Sequence, residues 1–308
     1  MSGSAWDGSV DRSGVETEAR DHALVGLDRM SMGEVFDAMN RADATVAEAV
    51  AAAKAEIVGF IDDALPRFAR GGRLVYLGAG TSGRLGVLDA SECPPTFCVE
   101  PGRVVGLIAG GDRALRVSSE SKEDDPAGAA EELDGLGLTG DDSVLGIAAG
   151  GTTPWVRGGL THAAQRAGCV GMLSCSPVEA PEGVGHLIVV RTGAEVLTGS
   201  TRMKAGTATK LVLNTISTAM MVGSGRVYEN LMVDVRATNA KLRDRAARIV
   251  GEVTGLERGR AIELLERCGG EVKVALVVEI AGVEPDAARA MLSASGGRLR
   301  DALAKGTK

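Results

Sequence analysis

The sequence LVYLGAGTSGR, residues 74–84, joins a short apolar run to a glycine-rich loop. Similar apolar runs recur along the chain with helical patterns between them, at residues 104–108, 144–148, 170–173 and 187–190. Uninterrupted apolar runs that alternate with helices are typical of parallel strands buried on both faces. The pattern therefore predicts an α/β fold with a five-stranded parallel sheet between two layers of helices.

The loop after the first run matches the G-x-G-x-x-G pattern of dinucleotide sites. Such sites also carry an acidic residue about 20 positions on, at the end of the next strand, whereas the second predicted strand here ends near Asp112, about 30 positions on. Hydroxyl groups, a guanidinium and the N–H groups at a helix start instead suit a terminal monophosphate. Phosphosugar binding is the favoured interpretation, with a dinucleotide site or a merely structural turn as alternatives. The predicted phosphate-binding residues here are Gly80, Thr81, Ser82, Gly83 and Arg84.

A second loop, Gly150-Gly151-Thr152-Thr153-Pro154, follows the third predicted strand. Pro154 suits the first position of a helix, where its missing N–H costs nothing. Ligands of parallel sheets bind outside the carboxyl ends of the strands, so both loops can meet one ligand. Gly151, Thr152 and Thr153 are therefore predicted to bind the same phosphosugar, with a ligand-free helix entry as the alternative.

Charge and apolar patterning exclude several classes of protein. Lys and Arg total 34 and Asp and Glu total 41, a net charge of −7, which argues against a nucleic-acid partner. No stretch approaches the ~18 apolar residues of a membrane span, and the N-terminus lacks the basic and apolar regions of a signal peptide. The expected protein is cytoplasmic, with no membrane partner.

The cysteines indicate neither disulfides nor a metal site. There are five, an odd number, scattered at positions 93, 98, 169, 175 and 268. Their spacing lacks the paired Cys or His ligands of a structural zinc site. Buried free thiols and no metal or cofactor are expected.

Flanking helical patterns divide the chain into three predicted units. These are an N-terminal helical segment (1–63), a phosphosugar-binding domain (64–227) and a C-terminal helical module (228–308). Residues 1–25 are polar and are expected to be flexible or draped over the surface. Ser31 to Glu34 form a capping-box pattern, and a helical pattern spans 46–61. Pro66 and Gly71-Gly72 are expected to end it. After residue 228 no strand-like run is evident, and four helices are expected near 236–250, 258–268, 271–281 and 285–294.

Several long motifs resemble one known family. They are GTSGRLGVLDASECPPT (80–96), GAEVLTGSTRMKAGTATK (193–210), NLMVDV (230–235) and LDRMS (27–31). Together they resemble the N-acetylmuramic acid 6-phosphate etherases, which are related to the glucokinase regulatory protein. The resemblance covers nearly the whole chain, from about residue 16 to residue 305. The chain departs from the family in two places. In the second loop Gly150 and Thr152 replace the usual Ser and Arg, and near the N-terminus Arg20-Asp21-His22 stands where the family often has Arg-Asn-Pro.

The resemblance implies a three-layer α/β/α sugar isomerase (SIS) domain, a UBA-like C-terminal module and a homodimer with active sites near the subunit interface. It also implies a reaction in cytoplasmic peptidoglycan recycling: cleavage of the D-lactyl ether at C3 of N-acetylmuramic acid 6-phosphate. The products are N-acetylglucosamine 6-phosphate and D-lactate. Within the motifs, Arg202, Lys204 and Lys210 are expected at a solvated surface, at a subunit interface or on the lactyl carboxylate.

The chemistry of a C3 ether requires one base and one acid. The C2 proton of the open-chain aldehyde is acidic, so a base can remove it while an acid protonates the departing lactate, and water then adds. By match to the family, Glu123 is the expected C2 base and Glu92 the expected acid. Glu120 is a rival to Glu123. Glu92 is expected at the end of the helix that follows the glycine-rich loop, where Cys93-Pro94-Pro95 breaks it.

Two other functions stay open from the sequence. A non-catalytic sugar-phosphate sensor is one, although such regulators carry two SIS domains in a longer chain. An aldose–ketose isomerase is the other, although that activity gives no reason for the segment from Ser91 to Pro95.

Overall fold

The computed structural model of the chain describes residues 12–117, 120–235 and 240–306. A five-stranded parallel sheet forms its centre. The strands are Leu74–Gly78 (β1), Val104–Ile108 (β2), Ser143–Ile147 (β3), Cys169–Ser174 (β4) and His186–Val189 (β5). Their order is β2-β1-β3-β4-β5, with β1 paired to both β2 and β3. The predicted sheet is confirmed, and β1 lies inside it.

Alternate side chains of each strand enter two separate cores. Leu74 and Tyr76 belong to one core, whereas Val75 and Leu77 belong to the other. Successive side chains of a strand point to opposite faces, so an uninterrupted apolar run is needed where both faces are covered. This explains why the runs in the sequence do not alternate with polar residues.

Helices cover both faces of the sheet. The core that contains Tyr76 is completed by helices Val46–Ala52 (α2), Lys54–Ala69 (α3), Gly80–Phe97 (α4) and Lys204–Gly223 (α8). The opposite core is completed by helices Ala130–Leu136 (α6) and Pro154–Ala163 (α7). Both layers agree with the predicted α/β/α arrangement.

The N-terminal helices differ in part from the prediction. Helix Met32–Ala44 (α1) begins with the predicted capping box at Ser31. The helical pattern of 46–61 is split at Ala53 into α2 and α3, and α3 continues through Pro66 to Ala69. Proline removes one N–H donor, and the burial of Phe68 in the core holds the last turn in place. The predicted domain boundary after residue 63 therefore falls inside a helix.

Helix α4 also extends further than its sequence suggests. The Pro94-Pro95 pair was expected to break it just after Glu92, but the helix reaches Phe97 and ends where Cys98 adopts a left-handed conformation (φ 51°). The Cys98 N–H donates to the Pro94 carbonyl at 2.9 Å. Buried Cys93 and Phe97 anchor this last turn against the sheet.

A buried carboxylate fixes α4 against β1 and α8. Asp89 accepts hydrogen bonds from the Tyr76 hydroxyl (3.0 Å), the Asn214 amide (2.7 Å) and the Ser217 hydroxyl (3.1 Å). A buried carboxylate that accepts three bonds has its polar atoms satisfied. This network holds the helix that begins at the glycine-rich loop.

The C-terminal part of the chain is a helical unit with a core of its own. A small antiparallel pair, Val227–Tyr228 (β6) and Leu231–Met232 (β7), precedes it, contrary to the expectation of no strand there. The helices are Ala240–Thr254 (α9), Arg258–Arg267 (α10), Val272–Ala281 (α11), Pro285–Ala294 (α12) and Leu299–Gly306 (α13). The first four were predicted and α13 was not. The limits 228–308 and the UBA-like character stay predictions.

No helix in the described part of the chain combines the length and the apolar character that crossing a bilayer requires.

Candidate functional site

A cavity of about 500 Å³ lies at the carboxyl edge of the sheet. It is bordered by the loops that follow β1, β2 and β3, three strands that are neighbours in the sheet. This is the position where parallel sheets bind ligands. The lining residues are Arg12, Val15, Glu18, Ala79, Gly80, Thr81, Ser82, Arg84, Glu123, Asp124, Ala149, Gly150, Thr152, Thr153, Pro154 and Thr201.

The glycine-rich loop presents the N-terminus of α4 to this cavity. Gly80 is the first residue of the helix and has a positive φ of 50°. The bond from the Gly83 N–H to the Ala79 carbonyl (3.2 Å) starts the helical ladder, so the N–H groups before it are free of the ladder. Backbone N–H groups, the positive end of the helix and the hydroxyls of Thr81 and Ser82 therefore converge, an arrangement suited to an anion.

Gly83 supports this loop from below and does not line the cavity. A Cβ on Gly83 would lie 2.6 Å from the Gly78 carbonyl oxygen and 2.6 Å from the Ile108 side chain. The missing side chain lets the helix start pack directly on β1 and β2. Gly83 therefore positions the loop for an anion and does not contact the anion itself.

Arg84 lines the cavity but already has backbone partners. Its Nε donates to the Leu115 carbonyl (3.2 Å) and its Nη2 to the Ala114 carbonyl (2.8 Å). The guanidinium thereby ties the first turn of α4 to the segment that follows β2. It also places a permanent positive charge in the wall of the cavity.

The second loop contributes Thr152, Thr153 and Pro154 to the lining. Pro154 occupies the first position of α7, as the sequence predicts. Gly151 has a positive φ of 73°, and a Cβ there would lie 2.8 Å from Val178, outside the lining. It shapes the loop without facing the cavity.

Glu123 is the predicted catalytic residue that the structure places in the cavity. It ends a single helical turn, Glu120–Glu123 (α5), and is half-buried. A Cβ on Gly80 would lie 3.2 Å from the Glu123 Oε1 atom. The carboxylate thus reaches the start of the glycine-rich loop. The side chain of its rival Glu120 falls outside the described part of the chain.

Glu92, the other predicted catalytic residue, is not in this cavity. It is exposed on α4, 12 residues after Gly80. At about 1.5 Å of rise per residue, the two positions are ~18 Å apart along the helix axis. Leu88, one turn before Glu92 on the same face, is 53% exposed. Within one chain the two predicted carboxylates therefore do not meet.

The N-terminal segment that contributes Arg12, Val15 and Glu18 was not identified from the sequence, where it was expected to be flexible or draped. Thr17 is fully buried and its N–H donates to the Ser176 hydroxyl at 3.1 Å. Glu16 pairs with Arg191. No local pattern predicts such a contact, and the only available signal was the start of the family resemblance near residue 16.

Lys204 belongs to the core of α8 and not to a basic surface patch. Its Nζ donates to the Thr192 carbonyl at 2.7 Å, and the residue is 9% exposed. Fully buried Glu195 accepts the N–H groups of Lys204 and Ala205, each at 3.0 Å, and so caps the helix. The expectation of a surface or ligand role for Lys204 was therefore wrong.

All five cysteines are free, and Cys98 is the one that is only partly buried, which confirms the expected thiols. Burial raises the pKa of both the Cys93 and the Cys175 thiol to about 12. These side chains are protonated at neutral pH. Neither supplies a thiolate nucleophile.

One group of possible metal donors is present among the described residues, at the opposite edge of the sheet. It consists of Asp63, Cys169 and His186, whose donor atoms lie within 4.8 Å of one another. Asp63 is bound by His186 (3.2 Å) and by the guanidinium of Arg67. The carboxylate charge is already balanced by this arginine, and the group lies away from the cavity.

A second cavity, of about 330 Å³, adjoins the C-terminal module. Its charged groups are paired with one another: Lys273 lies 2.8 Å from Asp234, and Arg226 lies 3.5 Å from it. Burial raises the pKa of Asp234 and lowers that of Lys273. The first turn of α11 lines this space, but its Lys273 is already paired, and no hydroxyl-rich loop is among the described lining residues. The cavity at the carboxyl edge is therefore the stronger candidate.

Comparison with known proteins identifies similar chains. Residues 56–164 match the family model of the glucokinase regulatory protein N-terminal SIS domain. The chain is 50% identical over 293 residues to an N-acetylmuramic acid 6-phosphate etherase of Rubrobacter xylanophilus, covering 95% of this chain and 97% of that protein. Etherases of the same name from Synechococcus sp. and Mycolicibacterium smegmatis are 49% and 47% identical, covering 96% of this chain and 94% and 100% of theirs.

Proposed function

The chain belongs to the family of N-acetylmuramic acid 6-phosphate etherases, and from this membership we propose its reaction. The enzyme cleaves the D-lactyl ether of N-acetylmuramic acid 6-phosphate and releases N-acetylglucosamine 6-phosphate and D-lactate. The observation that carries the proposal is the cavity at the carboxyl edge, where a helix start rich in hydroxyls lies beside a half-buried carboxylate. The helix start suits the 6-phosphate, and the carboxylate can act as the base.

The 6-phosphate binds at the start of α4. The N–H groups of the first helical turn and the hydroxyls of Thr81 and Ser82 donate to its oxygens. Arg84 adds a fixed positive charge, and Thr152 and Thr153 of the second loop reach the ligand from the other side. Gly83 and Gly151 hold the two loops in the required conformation.

The bond cleavage is a β-elimination followed by hydration, which makes the enzyme a carbon–oxygen lyase. Glu123 removes the C2 proton of the open-chain aldehyde, and the C3–O bond breaks as Glu92 protonates the departing lactate. Water then adds to the C2=C3 double bond of the unsaturated aldehyde, with its oxygen at C3 and a proton at C2. Elimination requires one base and one acid, which the two carboxylates provide in turn.

The acid reaches the site from a second copy of the chain. Glu92 is ~18 Å along the helix from Gly80, so it cannot act in the cavity of its own subunit. Its helix face is exposed, with Leu88 beside it, and α1 exposes Met32 and Phe36 at 78% and 67%. Such apolar exposure is typical of a subunit interface. We propose a homodimer in which Glu92 of the partner subunit completes each active site.

The proposal extends to the compartment, the pathway and the domain organisation of the enzyme. The enzyme acts in the cytoplasm, in peptidoglycan recycling and amino-sugar catabolism. It works as three units, with the SIS domain at 64–227 between the helical segment and the UBA-like module. The limit after residue 227 is supported by the separate core of the C-terminal helices, whereas the limit at residue 64 lies inside α3.

Incubation of the protein with N-acetylmuramic acid 6-phosphate tests the proposed function. D-lactate and N-acetylglucosamine 6-phosphate are expected in equal amounts, with no release from unphosphorylated N-acetylmuramic acid. Tight binding of the phosphosugar without release of lactate would instead indicate a sensor. Conversion of a hexose 6-phosphate to its ketose, without lactate, would indicate an isomerase.

Ser82→Ala is expected to weaken binding of the phosphosugar. The variant removes one donor to a charged phosphate oxygen, which costs about 1–3 kcal/mol. Isothermal titration with N-acetylglucosamine 6-phosphate measures the change. Ser91→Ala is the matched control, because the Ser91 hydroxyl donates to the Leu88 carbonyl on the exposed face of the same helix. Equal affinity of Ser82→Ala and the wild type would exclude this hydroxyl from the phosphate site.

A further inference from the structure

The proposed elimination leaves one proton transfer without an assigned residue. It requires the open-chain aldehyde, whereas a hexosamine 6-phosphate in water is mainly a closed pyranose ring. Ring opening removes the proton from the hydroxyl at C1 and delivers a proton to the ring oxygen. A single carboxylate can do both in turn, because the proton that it accepts from the C1 hydroxyl is then available for the ring oxygen.

Few groups in the cavity can carry this proton. Among the described lining residues the titratable side chains are three carboxylates and two arginines, with no histidine, lysine, cysteine or tyrosine. Arginine does not lose its proton in proteins. The candidates are therefore Glu18, Glu123 and Asp124, and the proposed mechanism already uses Glu123 at C2.

The Glu18 side chain lies in the cavity wall against Gly199. A Cβ on Gly199 would lie 3.0 Å from the Glu18 Oε2 atom, and Gly199 has a positive φ of 74°. Both the space and the conformation at this position depend on glycine. Thr201, two residues later, lines the same cavity.

Two further contacts hold the segment that carries Glu18. Thr17 is fully buried, with its N–H and its hydroxyl both within hydrogen-bond distance of the Ser176 hydroxyl (3.1 and 3.3 Å). Val15 packs against Gly150, where a Cβ would lie 3.1 Å from its methyl group. A side chain at position 150 would press on this segment.

Glu18 and Glu123 come from different elements. Glu123 stands at the end of α5 next to Gly80, whereas Glu18 is carried by the N-terminal segment next to Gly199. Asp124 directly follows Glu123 in the chain and lacks an independent support of this kind. Ring opening moves a proton from the C1 hydroxyl to the ring oxygen, and elimination removes a proton from C2. Carboxylates from separate walls of the cavity suit these two different positions on one sugar.

We propose that Glu18 is the acid–base residue that opens the pyranose ring, an inference that rests on the proposed function. The Glu18 carboxylate accepts the proton of the C1 hydroxyl as the C1=O bond forms and the bond from C1 to the ring oxygen breaks. A proton passes from the Glu18 carboxyl to the ring oxygen, which becomes the C5 hydroxyl. The step is an isomerisation and leaves Glu18 ionised, as it began.

Anomer exchange of N-acetylglucosamine 6-phosphate tests this role separately from ether cleavage. Ring opening and reclosure interconvert the α and β anomers, and NMR exchange spectroscopy measures the rate. The wild-type enzyme is expected to accelerate the interconversion. Glu18→Gln should lower that acceleration by about 10²–10⁴-fold and leave the affinity for the sugar phosphate within about twofold. Glu16→Gln, the same change two residues earlier, should retain the exchange, because a surface ion pair such as Glu16–Arg191 contributes little to stability.

Three results would overturn the inference. They are undiminished exchange in Glu18→Gln, an equal loss in Asp124→Asn, and a loss in Glu18→Gln that follows entirely from lost binding. A wild type that releases D-lactate but does not accelerate anomer exchange would refute the role of Glu18 alone. A wild type that accelerates exchange but releases no lactate would refute the proposed etherase function and leave the ring-opening role in place.

Discussion

Glu123→Gln is expected to stop the exchange of the C2 proton with solvent and to lower lactate release by about 10²–10⁴-fold. The amide has nearly the size of the carboxylate but cannot accept a proton. Because Glu123 lies beside Gly80 at the wall of the cavity, the change removes the base without altering the fold. NMR of N-acetylglucosamine 6-phosphate in deuterated water measures the exchange, and an enzymatic assay measures D-lactate.

Glu131→Gln is the matched control for this variant. Glu131 is exposed in the first turn of α6 and is not part of the cavity lining, so its loss should leave both rates unchanged. Full activity of Glu123→Gln would contradict the assignment and move the base to Glu120, at the other end of the same helical turn.

A mixture of two inactive variants is expected to recover activity. Glu92→Gln alone should lose about 10²–10⁴-fold in lactate release, because no acid assists the leaving group. Glu92 acts in the partner's cavity, so a heterodimer of Glu92→Gln and Glu123→Gln contains one site with both carboxylates. Random assortment of equal amounts into two-fold dimers should restore about a quarter of wild-type activity.

The mixing experiment distinguishes action of Glu92 in the partner's cavity from action in the cavity of its own subunit. The variants are unfolded and refolded together, or co-expressed with different tags, and the heterodimer is isolated. An inactive heterodimer would contradict action across the interface and require both carboxylates to act within one subunit. Co-assembly of Glu92→Gln with Ser91→Ala is the control for tagging, because this heterodimer retains two copies of Glu123 and one of Glu92 and so contains one complete site.

The sheet was predictable from the sequence because its signal is local. The apolar runs at 74–77 and 104–108 need no partner to be recognised, and each matches an observed strand within one residue. Helix ends were less predictable. Pro66 and Pro94 interrupt the helical pattern, yet buried Phe68 and Phe97 continue both helices by contacts with distant parts of the core.

The candidate site was predictable only where one segment carries it. The hydroxyls of Thr81 and Ser82 follow a strand and start a helix, so their place at the carboxyl edge follows from the sequence. The position of Glu18 depends on contacts with Ser176 and Gly199, which are more than 150 residues away along the chain. The distance of Glu92 from the loop follows from the 12 helical residues after Gly80, whereas the place of Glu123 beside Gly80 depends on a contact between distant segments.

Isotope incorporation from labelled water tests the elimination and hydration most directly. The wild-type enzyme is supplied with N-acetylmuramic acid 6-phosphate in deuterated water and, separately, in water enriched in ¹⁸O. Deuterium is expected at C2 of N-acetylglucosamine 6-phosphate and ¹⁸O at C3 of the same sugar, with no ¹⁸O in the released lactate hydroxyl. Heavy oxygen in the lactate, with protium retained at C2, would mean that water attacks the lactyl carbon directly, and this would contradict the elimination.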